Sequence, residues 1–186
     1  ASDIMMVTGP KDNRIIKAFN DARIYKSDIS GKADSIWNSE ALGMTKMLTN
    51  PILWAEESQI TGDTIQLISN PEAEKIDSLK VFYNAFMVMK DSIEGFNQVK
   101  GKEMYALFDE NNQMNEVNFT KNTETIYYVR EDDGNLVGIE KALSARIKLL
   151  LEKNEILDVY YYNSVDSEIV PEEDFPPNAR KLKYFN

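Results

Sequence analysis

The fold of this chain is decided by the stretch NPILWAEESQITGDTIQL, residues 50–67. It contains two signatures: an asparagine followed by alternating apolar residues, and an apolar residue two positions before a glycine. The alternation changes phase at the glycine, because Ile60 lies at an even position whereas Ile65 and Leu67 lie at odd positions. Strand side chains repeat with a period of two, so this change requires an extra residue, as in a bulge or a sharp corner. We therefore predict a strand corner at Gly62, because glycine tolerates the required backbone.

Both signatures recur along most of the chain. The glycines are spaced 31 and 39 residues apart, at Gly31, Gly62 and Gly101. The asparagines are spaced 30, 34 and 38 residues apart, at Asn20, Asn50, Asn84 and Asn122. A further copy of the glycine signature has Ser144 in place of glycine, and the first copy has Asp34 where an apolar residue is expected. Such a period indicates stacked copies of one supersecondary unit, because a single unit cannot bury its apolar face alone.

The segments between these signatures read as strands and turns. Aromatic and β-branched runs at residues 81–83, 126–129 and 159–162 predict strands. Polar clusters at 109–112, 132–135 and 152–155 predict hairpin turns or loops. Residues 138–153 also fit a helical spacing, but their alignment with the earlier repeats favours a strand, and residues 35–46 fit either a loop or a short helical turn. The side chains of Asn50, Asn84 and Asn122 are expected to cap turns by bonding nearby backbone.

These patterns predict one all-β domain, a long antiparallel meander spanning residues 1–170, followed by an extended tail at residues 171–186. The length allows one sizeable core, and strand signals run through it without a break. The tail is rich in proline and charge, with Pro171, Pro176 and Pro177 preceding a basic cluster. It is expected to pack along a sheet edge or to dock a partner.

Composition excludes several classes of function. The chain has no histidine and no cysteine, so the commonest general base, the commonest metal ligand and the thiol nucleophile are missing. We therefore predict no enzymatic activity, no metal site and no cofactor; the acidic pairs and triplets at 132–133 and 172–174 read as solvated loop charge. A net charge of −10 argues against nucleic-acid binding.

No apolar run approaches the roughly 18 residues of a membrane span. A start at Ala1 without methionine predicts a processed product whose targeting segment has been removed.

The sequence resembles the OstA-like proteins, the LptA type of periplasmic lipopolysaccharide-transport protein. The resemblance lies in residues 50–65, 77–81, 96–102 and 126–129, and it covers about residues 15 to 165. It implies an open β-jellyroll, also called a β-taco, whose apolar interior holds the acyl chains of lipopolysaccharide. It also implies a periplasmic location and end-to-end assembly with similar domains. Unpaired edge strands at the ends of a repeat stack are consistent with such assembly, including homo-oligomers.

Twelve apolar residues on the predicted strands are candidates for the lining of a lipid groove. They are Ile60, Ile65, Leu67, Leu79, Val81, Val99, Met104, Val117, Phe119, Ile147, Leu149 and Val159. An ordinary dry core has the same residue types, so a structural envelope interaction domain of the same fold, which binds no lipid, is the alternative function. Methionines such as Met87 and Met89 favour an adaptable lining, since thioether side chains are flexible. Met44 and Met47 are expected near an opening or loop.

Overall fold

The computed structural model describes residues 1–11, 13–26, 29–55, 57–70, 72, 75–91, 95–131, 133–153 and 155–185. Within them the chain forms strands β1 Ile4–Thr8, β2 Ile15–Tyr25, β3 Ile29–Ser39, β4 Met44–Leu48, β5 Ile52–Ala55, β6 Ser58–Thr61, β7 Thr64–Asn70, β8 Lys75–Lys90, β9 Phe96–Phe108, β10 Met114–Arg130, β11 Leu136–Glu152, β12 Glu155–Tyr162 and β13 Asp166–Val170. Two single 3-10 turns follow at Glu172–Asp174 and Pro177–Ala179. The predicted turn at 109–112 is present, whereas Asp132 and Asn154 of the other two predicted turns lie outside the described residues.

All strands pair antiparallel in one sheet, as the sequence predicts. The main path runs from β1 through β2, β3, β4 and β7 to β8–β12, while β5, β6 and β13 pair beside it. The strand interpretation of residues 138–153 is confirmed, because β11 covers all of them except Lys153. The ambiguous segment 35–46 forms the end of β3, a turn and the start of β4.

The long strands bend sharply at corners, and each corner is built on two consecutive residues with positive φ. These pairs are Asn20 and Asp21, Thr49 and Asn50, Tyr83 and Asn84, Lys121 and Asn122, and Asn163 and Ser164. Asparagine and aspartate enter this left-handed region more readily than most side chains. The asparagine signature therefore marks the corners, and it recurs a fifth time at Asn163, which the sequence reading missed. The structure gives Asn84 a role other than bonding nearby backbone, since its amide nitrogen donates to the Asp63 carboxylate at 2.9 Å.

The predicted role of glycine at the corners is wrong. Tyr83 and Asn84 lie between the strand pairs Phe82↔Glu103 and Ala85↔Gly101, where β9 contributes only Lys102. The extra residue thus belongs to the asparagine strand, and neither Gly62 nor Gly101 has a positive φ. Glycine instead leaves room, because a Cβ on Gly62 would lie 2.2 Å from Val81 Cγ1.

The sequence pattern also places the first repeat two residues too early. The backbone N–H of Asp34 donates to the Thr49 carbonyl at 3.1 Å, as that of Asp63 donates to Tyr83 at 3.1 Å. Asp34 is therefore the corner residue of β3. Gly31 lies inside the fold, where a Cβ would approach Met47 Cε to 2.7 Å.

We expect Gly62→Ala to lower the free energy of unfolding by about 1 to 3 kcal/mol, because the added methyl overlaps Val81. Gly101→Ala is a milder control, since its nearest contact would be the Thr120 carbonyl at 3.1 Å. Combining Gly62→Ala with Val81→Ala should recover part of the loss, which a double-mutant cycle of chemical denaturation measures. Equal melting of wild type and Gly62→Ala would contradict the close approach.

The corners lie at matching points of neighbouring strands, so the sheet folds into two facing halves. Half A comprises residues 4–8, 15–19, 35–39, 44–48, 64–70, 75–82, 103–108, 114–120, 146–152 and 155–162, and half B comprises 22–25, 29–33, 52–55, 58–61, 85–90, 96–100, 123–130, 136–144 and 166–170. One large core cluster draws buried residues from both halves, including Leu53 of half B and Phe119 of half A. The apolar residues on either side of each phase change thus share one interior, as predicted.

The C-terminal segment crosses the outer face of half B. Phe175 and Leu182 join Phe86, Ile126 and Ile139 in a second apolar cluster, separate from the interior. The buried Gln98 side chain holds the segment through both ends of its amide: Nε2 donates to the Arg180 carbonyl and Oε1 accepts from the Leu182 N–H, each at 2.8 Å. The tail therefore covers a sheet face, and the expectation that it packs along a sheet edge is wrong.

Candidate functional site

The predicted lining residues lie together in the interior. Eleven of them are at most 4% exposed, and Val159 is half-buried against them. All twelve belong to the core cluster or pack against it, in both halves of the folded sheet. Phe119 and Leu79 are completely buried, so the middle of the interior is filled with side chains.

An apolar cavity opens where the interior meets the N-terminal strands. Its volume is about 290 Å³, near the lower end of the range of small-molecule sites. The apolar side chains that line it are Met5, Ile16, Ala18, Ile24, Ile29, Ile36 and Leu67. Only Leu67 is among the twelve candidates. For Ile16, Ala18 and Ile24 the sequence signal is their alternation along residues 16–24, of which the asparagine signature covers only a part.

Cationic groups stand at the rim of this cavity. Arg23, Lys26 and the amino-terminal residue Ala1 all line it. The Arg23 guanidinium donates to the Asp21 carboxylate at 2.6 Å, and this bond holds the pKa of Asp21 below its usual range. Ala1 closes the edge of β2 through its ammonium, 2.9 Å from the Arg23 carbonyl. The mouth thus combines an apolar interior with a polar, positively charged rim.

Methionine side chains are concentrated in the interior. Met87, Met89 and Met104 lie in the core, at most 5% exposed. Met47 is fully buried, so its expected place near an opening or loop is wrong; β4 turns its side chain inward, whereas Met44 at the start of that strand is half-buried. Flexible thioethers can rearrange around a guest more easily than branched side chains.

The opposite end of the interior is polar. The Tyr161 hydroxyl donates to Glu140 Oε2 at 2.8 Å, and the Ser167 hydroxyl donates to Glu140 Oε1 at 2.6 Å. Thr125 lies 3.4 Å from the same tyrosine oxygen. Burial is the main cause that raises the pKa of Tyr161 above its usual value. The two ends therefore differ: the N-terminal end is apolar, and the C-terminal end carries a hydrogen-bonded network.

Both ends of the sheet have exposed strands with apolar side chains. In β1, Ile4, Met5, Met6 and Val7 are between 51% and 66% exposed. At the other end, Leu157 of β12 is 60% and Ile169 of β13 is 54% exposed. Edge strands with unpaired backbone groups readily accept a further strand.

Neither a metal centre nor a membrane-spanning helix is found among the described residues. Over residues 1–185, apart from the gaps given above, no group of three or more histidine, cysteine, aspartate or glutamate residues is placed to hold a metal ion. Neither 3-10 turn in those ranges, nor any other helical segment there, has the length and apolar character to cross a bilayer.

Comparison with known proteins finds similarity at the level of structure. No protein-family model matches the sequence, and no curated protein sequence matches it. The structure is similar to the crystal structure of LptH from Pseudomonas aeruginosa, with a TM-score of 0.59 and 13% sequence identity. The match covers 77% of this chain and 95% of LptH, which is described as the LptA-homologous periplasmic component of the lipopolysaccharide transport device. The chain thus has an LptA-like fold, and the predicted antiparallel β-jellyroll is confirmed.

Proposed function

We propose that this chain is a non-enzymatic periplasmic module of lipopolysaccharide transport that holds acyl chains in its apolar interior. The LptA-like fold supports a role in transport, since the similar LptH belongs to a lipopolysaccharide transport device. The observation that carries the proposal is the apolar cavity at the N-terminal mouth, which leads into a methionine-containing core.

The cavity accounts for the two parts of such a ligand. Ile24 and Ile36 offer apolar surface to an acyl chain that enters from the mouth. Lys26 stands at the rim, where its ammonium can neutralise a phosphate group that stays in water. The head group therefore remains outside an otherwise acidic protein, and the acyl chain displaces flexible core side chains as it goes deeper.

The proposed bridging between domains rests on the exposed strands at the two ends of the sheet. The exposed apolar strand β1 at one end and strands β12 and β13 at the other provide edges for pairing with similar LptA-like domains or with further copies of this chain. Such pairing would align the interiors of neighbouring domains. The polar network around Glu140 would then lie at a junction between domains.

A structural interaction domain without lipid remains the second candidate. It is favoured by the filled centre of the core, where Leu79, Val117 and Phe119 are completely buried. In that case the edges assemble envelope proteins, and the cavity at the mouth has no lipid guest.

Photo-crosslinking distinguishes the two candidates. A crosslinking residue at Ile24, which lines the cavity, is expected to capture lipopolysaccharide when the protein is expressed in a Gram-negative host. The matched control is Ser30, on the adjacent strand β3 opposite Tyr25 and facing out of half B. Native mass spectrometry of the purified wild type should show a retained lipid mass. Equal capture at the two positions, or no lipid by either method, would favour the scaffold.

A further inference from the structure

The outer face of half A carries a row of cationic and aromatic side chains that plays no part in holding acyl chains. Strand registers place one residue from each of nine neighbouring strands side by side, from Lys17 on β2 to Tyr160 on β12; we call this the basic row. Four of its members are lysines: Lys17, Lys46, Lys80 and Lys148. At about 4.8 Å per strand, the row is about 38 Å long.

The charge of the row opposes that of the chain. The sequence has 31 acidic residues against 21 basic ones, yet no member of the row is acidic. Acidic residues lie beside it on the same face, where Glu116 pairs with Lys148 at 2.8 Å and Glu103 pairs with Lys121 at 2.8 Å. Asp158 also lies in a flanking position. A cationic row in a chain of net charge −10 indicates a surface suited to an anionic ligand.

Each lysine of the row has an aromatic residue on the neighbouring strand: Trp37 lies between Lys17 and Lys46, Tyr105 beside Lys80, and Tyr160 beside Lys148. Lys46 Nζ lies 5.8 Å from the Trp37 ring centroid, and Lys80 Nζ lies 5.4 Å from that of Tyr105. The cation–π attraction holds each ammonium beside its ring. Tyr105 and Tyr160 remain 37% and 43% exposed, so their rings stay available for stacking.

A depression of about 330 Å³ lies in the middle of the row. The residues that line it include Phe82, Tyr105, Lys80, Asn118 and Thr120, together with Glu103, whose carboxylate is paired with Lys121. It thus offers an apolar face, a cation and hydrogen-bonding groups within one site. Sugar rings need this combination: their C–H faces stack on aromatic rings, their hydroxyls bond amides, and their phosphate or carboxylate groups bind ammonium.

We propose that the basic row binds an anionic saccharide chain, with the depression at Tyr105 as its central subsite. The site is separate from the interior cavity, and its ligand needs no acyl chain. A bilayer surface fits less well, because the net charge of −10 opposes an anionic membrane and the row includes the hydrogen-bonding amides of Gln66 and Asn118.

The test uses soluble saccharides without acyl chains. Oligogalacturonate supplies carboxylates, a phosphorylated malto-oligosaccharide supplies phosphates, and the unmodified malto-oligosaccharide is the neutral comparison. Calorimetric titration is expected to show binding of at least one anionic saccharide, weakened by added salt and at least tenfold weaker for the neutral one. The anionic saccharide that binds more tightly shows whether the basic row prefers carboxylate or phosphate groups.

Matched variants locate the binding. Lys80→Ala and Tyr105→Ala should each weaken binding of the anionic saccharide at least tenfold while the melting temperature changes little. Lys32→Ala is the control, because Lys32 lies over the Trp54 ring at 5.9 Å on the outer face of half B, in a similar cation–aromatic pair. An equal loss in Lys32→Ala would overturn the proposal. So would binding to anionic phospholipid vesicles with no binding of either anionic saccharide. Neither outcome bears on acyl-chain capture at Ile24, so the two proposals fail separately.

Discussion

Replacing Phe119 with alanine is expected to lower the free energy of unfolding by about 3 to 5 kcal/mol. Phe119 is completely buried, and it is among the largest fully buried side chains. Its removal loses the transfer free energy of the ring and leaves a void that neighbouring strands cannot close without breaking their register. Urea or guanidinium unfolding, followed by circular dichroism, measures the change.

Phe82→Ala is the matched control for this prediction. Phe82 lies on β8, is 37% exposed and faces out of half A, so its loss should cost less than 1 kcal/mol. A similar loss in the two variants would mean that the two halves do not enclose a tightly packed core. A Phe119→Ala protein with wild-type stability would point to an interior already open enough to absorb the void.

Ending the chain at Pro171 is expected to lower the free energy of unfolding by about 2 to 5 kcal/mol. Uncovering large apolar side chains such as Phe86 and Ile126 costs about 1.5 to 3 kcal/mol each, and the conformational entropy of the released tail offsets part of this. The Gln98 amide also loses its two backbone partners. The shortened protein should bind a hydrophobic dye, because the outer face of half B becomes exposed.

The controls for the tail keep the chain at full length. Lys181→Ala and Lys183→Ala remove exposed charges and should leave the melting temperature nearly unchanged. The same experiment tests the proposal that residues 1–170 form the domain and 171–186 the tail. A shortened chain that still unfolds cooperatively would support this division, whereas one with no strand signal would contradict it. Unchanged stability without dye binding would show that the tail is not docked in solution.

Much of the fold was predictable from local sequence. The phase change between Ile60 and Ile65 predicted a corner between them, and both residues indeed lie in the same core. The repeated asparagines marked the corner positions, because a short polar side chain is among the few that accept a left-handed backbone. The role of Gly62 could not be read in this way. Its reason is the Val81 side chain on the paired strand β8, and only the register of β7 and β8 brings the two together.

The candidate sites, too, were predictable in part from local sequence and in part only from the tertiary structure. Alternation in the sequence determined which side chains point inward, so the twelve lining candidates meet in one core. It did not determine where that core leaves space, since residues of both halves line the cavity beside Ile24.

The sequence by itself determined an all-β chain, the approximate places of most corners and its inward faces, because period and backbone preference are local properties. The tertiary structure alone decided the polar end at Glu140, the tail clamped by Gln98 and the basic row through Lys80. Each of these joins residues that are far apart in the sequence, and strand register and chain folding, which no local pattern encodes, bring them together.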